Sequence, residues 1–294
     1  MDFCSLYRPR SGSCLPADED TLIQYVAYLA KSIKHSSIKG YLAAVRHFHI
    51  RSGFTLELNK FLRLQLVCRG IKRSQGASST RVRLPITIHH LRLFYCLLAI
   101  PYTRNYDSVM TWAAMTLSFF GFLRLGELTC NGKFSSDTHL SLGDVTFLPS
   151  WDNPDHMSIR IKVSKTDPFR SGQTIMVGKT NQPVCPVKAM KSYLSLRNST
   201  PGPLFIYASG QPLSKDALTS ETRQLLSQSG LNPSEYAGHS YRIGAATTAA
   251  AVGLPPWLIK TLGRWSSDCY ERYIKSPQPL ILEVSQKLMK DSYH

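Results

Sequence analysis

The reading turns on Gly238-His239-Ser240-Tyr241-Arg242, which is followed downstream by Leu262-Gly263-Arg264-Trp265 and then by Tyr270 and Tyr273. Well upstream lies Gly121-Phe122-Leu123-Arg124-Leu125-Gly126-Glu127-Leu128. Arg124, His239, Arg242, Trp265 and a tyrosine bring two guanidiniums, an imidazole, an indole N–H and a phenol. His239 and Arg242 are three apart, so a helix puts them on one face. His239 stands at the predicted start of that helix, where backbone N–H groups favour an anion. A guanidinium fork grips two oxygens of a phosphate. Attack on a phosphodiester needs charge neutralisation, a nucleophile and a proton for the leaving oxygen. The set suits that task.

Taken singly, each residue has a plainer role. Arg124 can be a structural partner of Glu127, and His239 a helix cap. Trp265 and Tyr273 can be core. Lys165 can be part of a solvated hairpin face. The chemical reading rests on the combination and its order along the chain.

The bulk composition agrees with an anionic partner. The 294 residues carry 35 Lys and Arg against 19 Asp and Glu, a formal charge of +16. Nucleic acid is the commonest partner of such a chain. Residues 1–85 hold 14 basic and 5 acidic residues, so the first part is the more strongly basic. A hydrophobic share of 43% is ordinary for a globular protein and too high for disorder. The seven cysteines include no CxxC pair. That argues against zinc and against a disulfide framework, and implies a reducing compartment, nucleus or cytoplasm. No signal-peptide core opens the chain and no apolar run reaches membrane-span length, so no membrane partner is expected.

Periodicity predicts a mainly α protein with a small β-sheet. Asp18-Glu19-Asp20 precedes Leu22, Ile23, Val26 and Leu29 at helical spacing. Ser36-Ser37 opens a second helix through Ile38, Tyr41, Leu42, Val45 and Phe48, ending at Gly53. A third is expected from Leu58 to Val67 with basic residues interleaved. Residues 1–73 thus read as a helical DNA-binding domain. Its candidate DNA contacts, with those of the linker, are Lys39, Arg46, Arg63, Arg69, Lys72, Arg73, Arg81 and Arg83. Residues 74–85 are small, polar and basic, and read as a flexible linker. Residues 86–294 form the second unit.

Within that unit Ile86–Ile100 is an apolar helical stretch, and Asp107 is a candidate cap for a longer helix running towards Arg124. Ile159, Ile161 and Val163 alternate with Arg160 and Lys162, and Thr174–Val177 is again strand-like. The two predict a β-hairpin carrying Lys165 at or near its end. Helical patterns return over Val187–Leu196, Ser214–Gln228, Ser240–Ala251, Pro255–Leu262 and about Leu280 to Met289. Lys165 is a candidate general acid. A tyrosine, with an ordinary pKa near ~10, needs local positive charge to act as a nucleophile at neutral pH. No Walker-type phosphate loop is present and the named site has no acidic cluster for two metals, so no cofactor and no metal is expected.

These motifs together resemble the tyrosine recombinase (phage integrase) family. The resemblance implies a helical core-binding domain, a linker and an α+β catalytic domain. By it, Arg124 with its acidic partner Glu127, Lys165 in Ser164-Lys165-Thr166, His239, Arg242 and Trp265 form the catalytic set, and Tyr273 in Arg272-Tyr273-Ile274 is the nucleophile. The wording His-Ser-Tyr-Arg-Ile-Gly-Ala-Ala-Thr and Leu-Gly-Arg-Trp-Ser-Ser-Asp is most similar to eukaryotic mobile-element recombinases of the DIRS, Ngaro and Crypton kinds, which implies the nucleus. One departure stands out: Trp265 to Tyr273 is eight residues where familiar members generally have nine. Tyr270 is closer still, so landmark spacing favours Tyr273, although the two share a helix face. The implied activity is cutting and rejoining of double-stranded DNA through a 3′-phosphotyrosyl intermediate, by a dimer on each site and a tetramer in the synapse. Residues from Leu280 onward resemble the short helix that engages a neighbouring protomer; packing in cis is the alternative. A non-cleaving DNA-binding derivative and a type IB topoisomerase-like enzyme are the competing readings.

Overall fold

The computed structural model describes residues 15–76, 83–98, 105–165, 167–268 and Glu271. The chain divides into two compact units, Met1–Val82 and Arg83–His294.

In the first unit, helix α1 (Glu19–Ala30) begins where Asp18 accepts the Thr21 N–H at 2.7 Å. Helix α2 (His35–Arg51) and helix α3 (Leu62–Ser74) complete the unit. Leu22, Val26, Ile38, Leu42, Leu56 and Leu64 form its core, drawn from the apolar faces of the three helices and, at Leu56, from the segment between α2 and α3. The expected third helix starts later than Leu58. Residues Leu58–Lys60 make only a 3₁₀ turn, and the α-helix starts at Leu62. Glu19 accepts the Leu64 N–H at 3.0 Å, so a carboxylate from α1 satisfies a donor at the start of α3.

Both ends of the segment 74–85, expected as a linker, are tied to their neighbours. Ser74 belongs to α3, and the Gln75 amide bonds the Ala30 and Ile33 carbonyls and the His35 N–H. At the other end the Leu84 and Ile86 N–H groups donate to the Glu235 and Ser240 carbonyls, each at 2.9 Å. Residues 77–82 lie outside the described set.

The second unit is built around helix α5 (Tyr106–Phe120), buried continuously from Met110 to Phe119. Helix α4 (Ile88–Leu98) packs against it. Asn105, not Asp107, caps α5, exchanging hydrogen bonds with Ser108 in a capping box. Asp107 instead accepts the Ala208 N–H at 2.7 Å. The helix also stops short of Arg124. It ends at Phe120, Phe122 turns left-handed (φ 51°), and Arg124 precedes a single turn, α6 (Leu125–Leu128).

The sheet has three antiparallel strands in the order β1-β2-β3: Val145–Leu148, His156–Ile161 and Gln173–Gly178. The hairpin is β2–β3. Strand β1 is an addition that four residues of alternation do not announce. Its Phe147 pairs with Met157, which pairs with Val177, and all three are buried with Ile159 and Ile161. Helix α7 (Pro186–Leu196) lies on α5, and α8 (Lys215–Gln228) is capped by Ser214. Helix α9 (Ser240–Ala251) approaches the chain closely enough at Ile86 to require Gly244: a Cβ there would stand 1.7 Å from the Ile86 carbonyl oxygen. Helix α10 (Pro256–Gly263) ends on Arg264, which is left-handed (φ 54°). The predicted helix over 280–289 lies outside the described residues.

Candidate active site

Helix α9 starts with His239 in the N-cap position and sends Tyr241 and Arg242 inward. Tyr241 is core, its hydroxyl 2.8 Å from that of Thr222. Arg242 is 3% exposed. Its Nη1 donates to the Phe122 carbonyl at 2.8 Å, and its Nη2 donates to the Gly263 carbonyl. Both carbonyls lie on left-handed turns, at Phe122 and just before Arg264. Each such turn costs a residue with a Cβ about 1–2 kcal/mol, and persists because the surroundings over-determine it. Here the Arg242 fork joins the two turns. The Trp265 ring lies under the same guanidinium, 4.4 Å from its carbon to the ring centroid, and meets Phe122 edge-on at 6.5 Å. Gly263 makes room for the indole, because a Cβ there would fall 1.6 Å from it.

Arg124 is fixed from two sides. Its Nη1 donates to Glu127 Oε1 at 2.8 Å and to Ser164 Oγ at 3.0 Å. Ser164 in turn donates to Glu127 Oε1 at 3.0 Å, tying the segment after β2 to the Arg124 turn. The other carboxylate oxygen accepts the Arg124 backbone N–H at 3.0 Å and Arg264 Nη2 at 2.6 Å. Burial alone would push the Glu127 carboxyl up. The charge of Arg264 and the hydrogen bonds from Arg124 outweigh it and hold the group below the usual carboxylate range.

His239 reports on everything around it. Partial burial of the ring lowers its pKa, and the charges of Lys215, Arg124, Arg242 and Lys165 lower it further, in that order. The imidazole is therefore neutral at pH 7 and stands among cations from four elements. Lys165 is exposed, beyond the end of β2. The other hairpin lysine, Lys162, is occupied by Asp144 at 2.5 Å and by the His139 carbonyl.

The structure thus brings together Arg124, Glu127, Lys165, His239, Arg242 and Trp265. Tyr270 and Tyr273 lie outside the described residues. Trp265, expected as an N–H donor, has its ring face against Arg242. Three further residues join the site. Ser164 carries no sequence signal beyond its place beside Lys165. Lys215, at the start of α8, carries no motif; its stem lies over Gly238, with Cε 3.3 Å from where a Cβ would be. Arg264 did leave a signal, since it stands nine residues before Tyr273, the spacing that Trp265 misses by one. Two of these cations, Arg124 and Arg264, are paired with Glu127.

Among the candidate DNA contacts, Lys39 and Arg46 are exposed on α2, seven apart and so on one face, and Arg69, Lys72 and Arg73 are exposed on α3. Arg63 is exposed but ion-paired with Asp20 at 2.6 Å and Glu19 at 3.3 Å, which cancels its charge locally. Arg83 is partly buried and donates to the Ser234 carbonyl at 2.7 Å. Arg81 lies outside the described residues.

No family model matches the chain. It is 26% identical over 271 residues to an integrase/recombinase XerD homolog of Selenomonas ruminantium, covering 89% of this chain and 74% of that protein. Among solved structures it is similar to the XerH site-specific recombinase bound to a palindromic difH substrate, with a TM-score of 0.64 at 14% identity, covering 98% of this chain and 77% of that one. It is also similar to the Tn1549 transposon integrase in complex with circular intermediate DNA, with a TM-score of 0.57 at 12% identity, covering 97% and 90%. A lambda integrase dimer bound to a core site gives 0.55 at 16% identity, covering 92% and 86%. The fold is that of the tyrosine recombinases, and the sequence relative and the structural neighbours together support the tyrosine recombinase/integrase family for this chain.

Proposed function

We propose that the chain is a site-specific DNA recombinase that cuts and rejoins double-stranded DNA through a 3′-phosphotyrosyl intermediate. One observation carries the reading: the charges of Lys215, Arg124, Arg242 and Lys165 converge on the neutral His239, with Arg264 behind them on Glu127. Such a concentration of charge is stabilised by an anion, and a phosphodiester has the shape and charge that guanidinium forks hold. In this reading Tyr273 attacks phosphorus and displaces the 5′ oxygen, which leaves with a proton from Lys165. Arg124 and Arg242 neutralise the non-bridging oxygens, Trp265 holds Arg242 in place, and His239 assists proton movement. The 5′-hydroxyl of another strand reverses the step. The bond energy stays in the phosphotyrosine, so no nucleotide is hydrolysed. The exposed basic faces of α2 and α3 supply backbone contacts. Dimers on each site and a tetramer in the synapse belong to the same proposal. The finer assignment to eukaryotic mobile-element recombinases, acting in the nucleus, rests on the motif wording; the sequence relative is bacterial.

A nicked suicide substrate tests this, because the released fragment diffuses away and traps the covalent adduct. Wild type should be trapped, and Tyr273→Phe should bind DNA without being trapped. Loss of trapping in Tyr270→Phe, with Tyr273→Phe active, would move the nucleophile. A wild-type protein that binds DNA and is never trapped is a binding protein, and the proposal fails. Relaxation of supercoiled DNA without strand exchange between paired sites would mark a topoisomerase-like enzyme instead.

A further inference from the structure

Arg264 is an unusual choice for its place. It occupies a left-handed turn, where glycine would sit without steric penalty. The chain instead carries a long cation there and buries it, with the side chain 4% exposed. Its Nη2 takes Glu127 Oε2 at 2.6 Å, and its Nη1 donates to the Gly121 carbonyl at 3.3 Å. Among the described residues no acceptor meets its Nε. A buried ion pair with an unmet donor is a poor stabiliser compared with apolar side chains of the same volume. Its retention points to what the pair holds.

Glu127 is shared. One oxygen carries Arg124 Nη1, and the other carries Arg264 Nη2 and the Arg124 backbone N–H. A carboxylate gripped on one side only can turn about its last bond and carry Arg124 with it. Arg264 adds the one ion pair on the second oxygen, where the other donor is the neutral Arg124 backbone N–H, and so strengthens the grip on that side. The turn that places Arg264 also sets the Gly263 carbonyl, which receives Arg242, and the Trp265 ring on which Arg242 lies. One residue thus stands behind both guanidiniums, through its side chain on Arg124 and through its backbone on Arg242.

We propose that Arg264 is a positioning residue for the cleavage reaction, holding Arg124 through Glu127 and shaping the seat of Arg242, so that both face one phosphate. The inference rests on the reading that these two arginines neutralise the scissile phosphate. It concerns charge placement, so a substrate without that charge is the discriminating probe.

The experiment compares wild type, Arg264→Gln, Arg264→Lys and Arg264→Gly on two suicide substrates. One carries the ordinary phosphodiester, and the other a neutral methylphosphonate at the scissile position. On the phosphodiester, Arg264→Gln should be trapped about 10- to 100-fold more slowly, the range for losing a residue that orients a direct ligand. Its affinity for uncleaved duplex should stay within about threefold of wild type. Arg264→Lys keeps a charge near Glu127 and should recover part of the rate. Arg264→Gly relieves the turn and should melt no lower than Arg264→Gln, yet cleave no faster. On the methylphosphonate, the gap between wild type and Arg264→Gln should close to about threefold, because little charge is left to neutralise. An equal defect on both substrates means that Arg264 only supports the fold, and overturns the proposal. So does an Arg264→Gln protein that cleaves the phosphodiester at the wild-type rate. Failure of the underlying reading looks different: wild type itself then forms no adduct with either substrate. Arg264→Lys carries the same comparison if the glutamine variant does not fold.

Discussion

The guanidinium carbon of Arg242 lies 4.4 Å from the centroid of the Trp265 ring, and both side chains are at least nine-tenths buried. A desolvated cation over an indole is worth about 2 kcal/mol, and here it also closes the space between two left-handed turns. Trp265→Ala removes the ring and leaves a cavity beneath a charge. It should lower the unfolding free energy by about 3–5 kcal/mol, read from chemical denaturation. Trp265→Phe keeps an aromatic face and should lose clearly less.

His239 gives a pH test. Its pKa in the folded protein lies below the ordinary value, first through burial and then through Lys215, Arg124, Arg242 and Lys165. As pH falls, the unfolded chain takes up this proton near ~6.5, and the folded chain only at lower pH. Between those two values unfolding is favoured by acid, so wild type loses stability on acidification. His239→Gln has no such proton. Its denaturation midpoint should fall less than that of wild type below about pH 6.5, and equal slopes would exclude the shift. Above that pH the two should run parallel.

Lys215 is the largest charge acting on that imidazole. Lys215→Ala should therefore raise the His239 pKa, observable by NMR titration of the ring protons. If the lysine also meets a phosphate, the slope of log affinity against log salt should become shallower by about one. Wild-type binding itself should weaken steeply with salt.

Gly244→Ala tests the contact between α9 and the backbone at Ile86. The new Cβ would stand 1.7 Å from a backbone oxygen, which has no rotamer with which to yield. Overpacking of this kind costs about 1–3 kcal/mol or more. Melting of the second unit should shift down accordingly, and the seat of His239 and Arg242, within about a turn of Gly244 on α9, should loosen with it. An unchanged melting temperature would contradict the close approach.

Much of the helical framework was legible because amphipathic spacing and capping residues are local. Ser214 and the start of α9 lie where the sequence puts them. Asn105 displaced Asp107 as a cap because Asn105 and Ser108 satisfy each other's backbone N–H groups. Strand β1 escaped notice because it is short and acquires meaning only from its partner β2.

What the sequence determined by itself was the inventory and its order: a basic helical first part, a second unit with a hairpin, and Arg124, Lys165, His239, Arg242 and Trp265 at separations that resemble one family. Tertiary structure alone decided which cations share a carboxylate, which lysine of the hairpin is already paired, and that Arg264 and Lys215 join the site. Those facts depend on two left-handed turns brought together from residues 122 and 264. No local periodicity encodes a contact between segments so far apart in the chain. It arises when burial of α5, α9 and α10 forces their ends to meet.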